Sequence, residues 1–194
     1  MPLTPAQLAA LRADIAADPV LSLLPVEGDG SYIIADAYNL PAVPEARVWD
    51  VAVPVRSIMD TFNWAAFTPT DTVPESNVDQ ASLQRFLSRM LVIQTKQMNL
   101  QLMLQGRDTV DASLSNFRAG LRDALVSIPS GVNGAAVNGA GGSATNALNA
   151  CTRPATRAER LFATSQQTTG SVTAWVMGNV GPISYADVAQ ARAN

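Results

Sequence analysis

The sequence predicts a mainly α fold: a helical bundle around one long helix at about 79–105, with a small β element at about 47–53 and 172–180 and terminal arms. Three observations predict it. From Asp79 to Gln105 there is no Gly or Pro, and apolar residues recur at helical spacing. Both ends of the chain open helices with N-terminal cap signatures. Strand-like residues gather only in RVWDVAVPV (Arg47–Val55) and VTAWVMGNV (Val172–Val180).

The first helix is signalled by Thr4-Pro5-Ala6-Gln7, with Thr at N-cap, Pro at N1 and Gln at N3. Leu8, Leu11 and Ile15 share one face, and Asp18-Pro19 ends it. A second short helix is expected at Tyr32–Asn39. In Arg47–Val55 an extended chain would place Arg47, Trp49, Val51 and Val53 on one side, and Pro54 confines it to a sheet edge or an unpaired arm. A short helix anchored by Ile58, Met59, Phe62 and Trp64 follows, then a loop at Thr68–Asn77.

The long helix starts at Asp79, an N-cap candidate. Phe86, Met90, Ile93, Gln97, Leu100 and Leu104 form its stripe, widened by Leu83, Leu87, Leu91, Met98 and Leu102. So apolar a helix calls for cover from several others, or from a neighbouring subunit. Another helix is expected near Ser115–Val126. Beyond the run Gly131–Ser143, the positions Ala144, Ala147, Leu148, Cys151, Ala155, Ala158 and Phe162 keep helical spacing across Pro154. They read as one kinked helix or two short ones end to end. Ser184-Tyr185-Ala186-Asp187 opens a last helix, Tyr185–Ala193. Val172–Val180 is too short to stand alone and needs Arg47–Val53 or another subunit as partner.

One domain over 1–194 is expected: an N-terminal helical arm (1–40), a helical core (41–167) with a flexible Gly/Ala/Asn loop at 131–143, and a C-terminal strand-and-helix arm (168–194). Composition narrows function by exclusion. Net charge is −3 with 15% charged residues, which does not suit coating of nucleic acid. Arg accounts for all of the 13 cations but Lys96, reflecting either planar carboxylate contacts or codon bias. With no His and one Cys, the commonest general base, a Cys–His nucleophile, an intrachain disulfide and a thiolate metal site are all ruled out. No run is apolar enough for a membrane span, and MPLTPAQLAALRADIAADP does not read as a secretory signal. No metal and no cofactor is expected.

The segment GAGGSA (Gly139–Ala144) matches G-x-G-x-x-A, but no β-branched strand precedes it and no cation lies between Arg122 and Arg153. It reads as a flexible connection between helices, or as a loop ordered against another subunit. The charge-dense Arg153, Arg157, Glu159 and Arg160 read as a solvated helix face, or as an Arg face docking an acidic neighbour or lining a passage for DNA. Trp49, Trp175, Val176, Met177 and Tyr185, with Arg153, Arg157 and Arg160, are the candidate interface residues. Nothing singles out a catalytic pair among the 16 acids.

ATRAERLFAT (Ala155–Thr164) and GPISYADVAQAR (Gly181–Arg192), with LTPAQLAALRADIAADP at the start and NFRAGLRDAL (Asn116–Leu125), resemble an uncharacterised family of tailed-phage and prophage proteins. The long Gly/Ala/Asn run departs from that family. The resemblance implies a non-enzymatic virion structural protein. It would assemble in the host cytoplasm as a homo-oligomer, a ring by expectation, with other virion proteins. A neck or head–tail connector place is the first expectation, and a tail, baseplate or fibre-attachment accessory the alternative. A carboxylate-dependent tail-associated hydrolase is the rival of another class. Neither a membrane nor sequence-specific nucleic acid is an expected partner, though DNA passes near a neck ring.

Overall fold

The computed structural model describes residues 2–26, 29–67, 80–129, 136–137, 139–179 and 181–193. In chain order the helices and strands are α1 (Pro5–Ala17), α2 (Gly30–Asn39), β1 (Arg47–Trp49), β2 (Val53–Pro54), α3 (Val55–Met59), α4 (Gln80–Leu104), β3 (Thr109–Val110), α5 (Ser115–Leu125), β4 (Ile128–Pro129) and β5 (Ala136–Val137). They continue with α6 (Gly139–Ala150), β6 (Thr152–Pro154), α7 (Arg157–Leu161), β7 (Ala163–Thr169), β8 (Val172–Met177) and α8 (Tyr185–Ala193). Short 3₁₀ turns lie at Leu21–Leu23 and Trp64–Phe67.

The fold is mixed α/β, which corrects the expectation of a mainly helical bundle. A four-stranded sheet has the order β6-β1-β8-β7, and two-stranded ribbons pair β2 with β3 and β4 with β5. The expected pairing in cis is present: β1 runs parallel to β8, with Val48 opposite Trp175. The bundle reading failed because β7, ATSQQTT, has no apolar stripe to betray it. Its residues alternate half-buried and exposed, and its polar side chains leave only the period of two. Gly170, at φ 60°, supplies the left-handed backbone that turns β7 into β8.

The chain divides into two compact units. The first comprises Met1–Trp49, Arg153–Gln167 and Thr173–Asn194. Its core joins Leu8, Leu11 and Ile15 of α1 to Ile34 and Tyr38 of α2, with Phe162, and Val188 and Ala191 of α8. The terminal segments are therefore no arms; α1 and α2 both pack on α8. The capping box at Thr4 and Gln7 is present as expected, with Thr4 Oγ1 accepting from the Gln7 amide at 3.3 Å and Gln7 Oε1 from the Thr4 amide at 2.9 Å. Gly30 opens α2 against the preceding turn, where a Cβ would stand 2.1 Å from the Pro25 carbonyl oxygen.

The second unit comprises Asp50–Thr152 and Thr168–Val172. Here α5 packs on α6 and on α4, and α3 packs on α6. The periodic positions from Ala144 to Phe162 do not form one helix. Ala144, Ala147 and Leu148 belong to α6, Cys151 follows it, β6 intervenes, and Ala158 sits on α7. All are buried, so the helical period continues across a break, with 144–151 in the second unit and 155–162 in the first. GAGGSA forms the first turns of α6 rather than a connection. Ser143, buried there, accepts from the Asn63 amide at 3.0 Å. The N-cap expected at Asp79 and the loop at Thr68–Asn77 lie outside the described residues, as do 131–135 and 138 of the Gly-rich run.

The long helix runs for 25 residues, close to the expected span of about 79–105. It is not the centre of a bundle. Only Ile93, Leu100 and Leu104 on it are buried.

Candidate functional site

Two surfaces stand out, and the first carries charges that the sequence singled out. The first is built on α7 in the first unit. Thr156-Arg157-Ala158-Glu159 is a capping box: Thr156 Oγ1 accepts from the Glu159 amide at 3.2 Å, and Glu159 Oε2 accepts from the Thr156 amide at 3.0 Å. That geometry turns Glu159 inward, where its residue is 3% exposed. Arg153 meets it with two prongs, Nη1 to Oε2 at 2.8 Å and Nη2 to Oε1 at 2.5 Å. Burial alone would raise the Glu159 carboxyl, but the Arg153 and Thr156 bonds override it and leave the group below its ordinary value. The expected solvated face is thus a folded ion pair at this position.

Arg157 makes the second half of the site. Its Nη2 donates to Asp14 at 2.7 Å and its Nη1 to Asp18 at 2.8 Å, while its guanidinium lies 4.4 Å above the Tyr38 ring centroid. Asp14 and Asp18 stand four apart, on one line of α1 and its C-cap, so a single fork reaches both. Tyr38 donates its hydroxyl proton to Asp14. Amides of Leu21 and Val20 also bind Asp18, and with Arg157 they hold its carboxyl at about 2. Burial, then the bond to Asp14, pushes the Tyr38 hydroxyl up. An open groove of about 730 Å³ runs past these groups, bordered also by Leu40, Val43, Arg160 and Leu161.

The remaining candidates scatter. Arg160 is exposed and donates to the Pro44 carbonyl at 3.2 Å. Trp175 and Met177, half-buried, pack on Ala42, Ala46, Val48 and Ala155. Arg153 Nη2 reaches the Met177 sulfur at 3.5 Å, so these three do come together. Val176 is half-buried on β8. Trp49 is fully buried, its indole N–H donating to the Gln167 carbonyl at 3.2 Å, and belongs to the interior rather than to any surface. Tyr185 is exposed on α8 and stacks on Tyr32, with ring centroids 4.5 Å apart.

The second surface was not chosen from the sequence. On α4, Leu83, Leu87, Leu91, Met98 and Leu102 are 40–69% exposed. They fall on one side of the helix, well round from the buried Ile93 and Leu100. The signal was present as the widened stripe, for which the sequence left open cover by other helices or by a neighbouring subunit. Near its C-terminal end a cavity of about 470 Å³ opens among Met59, Phe62, Trp64, Leu100 and Leu104.

Two motifs resolve as structural. Arg118, in the NFRAG segment, is 1% exposed. It donates to the carbonyls of Ala112 and Ser113 at 2.6 and 2.7 Å, and to Thr169 Oγ1 at 3.1 Å. The glycine fingerprint at Gly139 does have a strand before it, but β5 is two residues long and antiparallel to β4, with no parallel β-α-β crossover to form a dinucleotide crevice. Among the described residues, no group of three or more His, Cys, Asp or Glu is placed to hold a metal ion. No helix among them is long and apolar enough to cross a membrane. Compared with protein-family models, curated proteins and solved structures, the chain matches none.

Proposed function

We propose that the chain is a non-enzymatic structural subunit of a tailed-phage virion that works by oligomeric assembly, in the neck or head–tail connector region. The observation that carries the assembly part is the exposed Leu/Met face of α4, which presents large apolar side chains along about 28 Å of helix. A neighbour that covers it removes that surface from water at no cost in buried charge. The phage part rests on the resemblance of Ala155–Thr164 and Gly181–Arg192 to the virion family. A tail, baseplate or fibre-attachment place is the alternative within the same class.

Mass photometry of the purified protein, and mass spectrometry of purified virions, test the two parts separately. Multiples of the subunit mass and presence in the particle are the expected results. A monomer at every concentration counts against assembly, and absence from particles against a virion role.

A hydrolase reading is favoured by one observation, the two acids Asp14 and Asp18 in the α7 groove. Both are clamped by Arg157, and the Asp18 carboxyl is held at about 2, whereas a general acid needs a raised pKa. Release of product from peptidoglycan by the wild type, lost in Asp14→Asn, would establish the enzyme and overturn the structural reading.

A further inference from the structure

We infer that the exposed face of α4 pairs with the same face of a second copy of this chain, antiparallel and across a two-fold axis between positions 92 and 93. The inference rests on the assembly reading and names its partner and register.

The face is complementary to itself. Leu83, Leu87, Leu91, Gln94, Met98 and Leu102 are all exposed and, at 100° per residue, fall within about a quarter to a third of a turn. Their spacing is 4, 4, 3, 4, 4, which reads the same in both directions. Reversing one helix about the point between 92 and 93 sets Leu83 against Leu102 of the copy and Leu87 against Met98. Gln84, flanking the stripe, meets Gln101. Leu91 meets Gln94, the one mixed pair. A two-fold interface demands this relation, in which each residue finds its partner's partner.

Charge points to the same occupant. No charged residue stands on this face; the cations of α4, Arg85, Arg89 and Lys96, lie on another side of the helix at i, i+4 and i+11. A partner surface rich in Asp or Glu finds nothing here to pair with, whereas a second neutral face meets no like-charge repulsion. Gln84 and Gln101 each carry both donor and acceptor, so the glutamine flanks satisfy one another. Antiparallel placement also opposes the helix dipoles favourably, and a parallel one aligns them. The strip from Leu83 to Leu102 is about 28 Å by 10 Å on each copy, on the order of 280 Å². That is below the roughly 800 Å² per partner of a standard interface, so a single pair forms in a concentration-dependent way.

Cysteine cross-linking on the full chain reads the register. In the paired state the Leu83 and Leu102 positions of opposite copies are level, while the two Leu83 positions stand about 28 Å apart along the helices. Leu83→Cys mixed with Leu102→Cys, under mild oxidation, is expected to give a disulfide-linked heterodimer, and Leu83→Cys alone none. Both sites are exposed, so neither variant disturbs the core, and Cys151 is buried and serves as the unreacted reference. A Leu83→Cys homodimer formed as readily as the mixed one overturns the antiparallel register. Oligomers by native mass without any cross-link overturn α4 pairing and leave the assembly reading standing. Monomers at the highest soluble concentration overturn both.

Discussion

Arg153 and Glu159 close a two-pronged ion pair, at 2.8 and 2.5 Å, over the N-terminus of α7, with the carboxylate buried and the guanidinium about one-third exposed. The Glu159 side chain is at once the last member of a capping box and the counter-ion of an arginine six residues earlier. Two independent demands therefore meet on one carboxylate.

Removing the cation alone leaves that carboxylate buried with only its cap contacts. Arg153→Ala is expected to cost about 2–3 kcal/mol in urea unfolding, at the low end for a broken buried pair because Arg153 keeps some solvent. Glu159→Gln, which can still accept from the Thr156 amide, is expected to cost less. Equal losses for the two variants would show that the pair and not the cap dominates.

The Asp18 carboxyl supplies a pH signature. Its folded pKa lies at about 2, below the roughly 3.9 of an unfolded aspartate. A group depressed by folding contributes stability that is complete above roughly pH 5 and is lost as the pH falls towards 2. Melting temperatures from pH 7 to pH 2 should therefore fall less steeply in Asp18→Asn than in the wild type. Parallel curves would remove Asp18 from the account.

Arg118 is the buried polar anchor of the second unit. Arg118→Met keeps some of the volume but leaves the Ala112 and Ser113 carbonyls without their donor, and is expected to cost about 3 kcal/mol. A lower midpoint in guanidinium, at unchanged slope, is the measurement.

Gly30→Ala puts a methyl where backbone already stands, 2.1 Å from the Pro25 oxygen. The turn before α2 must shift, and a loss of about 1–3 kcal/mol is expected by thermal unfolding. An unchanged melting temperature would overturn the close approach of Pro25 to Gly30.

The thiol of Cys151 is fully buried, and burial pushes its pKa up to about 12. It should resist thiol reagents at pH 8 in the native protein and react at once in denaturant. Leu91→Arg tests the opposite situation: on an exposed α4 site it should change stability by no more than about 0.5 kcal/mol while weakening self-association.

Local signals were legible in the sequence because local physics decides them. The Thr4–Gln7 box, the span of α4 and the helix opened by Ser184 and Asp187 follow from caps, propensity and the absence of breakers. The α7 box was equally local, Thr156 three before Glu159, and was hidden by reading the charges as a solvated face. One partner of Val172–Met177 was among the two alternatives the sequence left open, Arg47–Val53 or another subunit, while its other neighbour, β7, was missed. Tertiary structure alone decided the rest. Backbone pairing, not side-chain hydrophobicity, makes a strand of ATSQQTT. The meeting of Arg157 with Asp14 and Asp18 spans more than 130 positions, and no periodicity encodes a contact between distant segments. The same holds for α4: its sequence set how much apolar surface the helix has, but which of that surface its own chain covers depends on where the other helices lie.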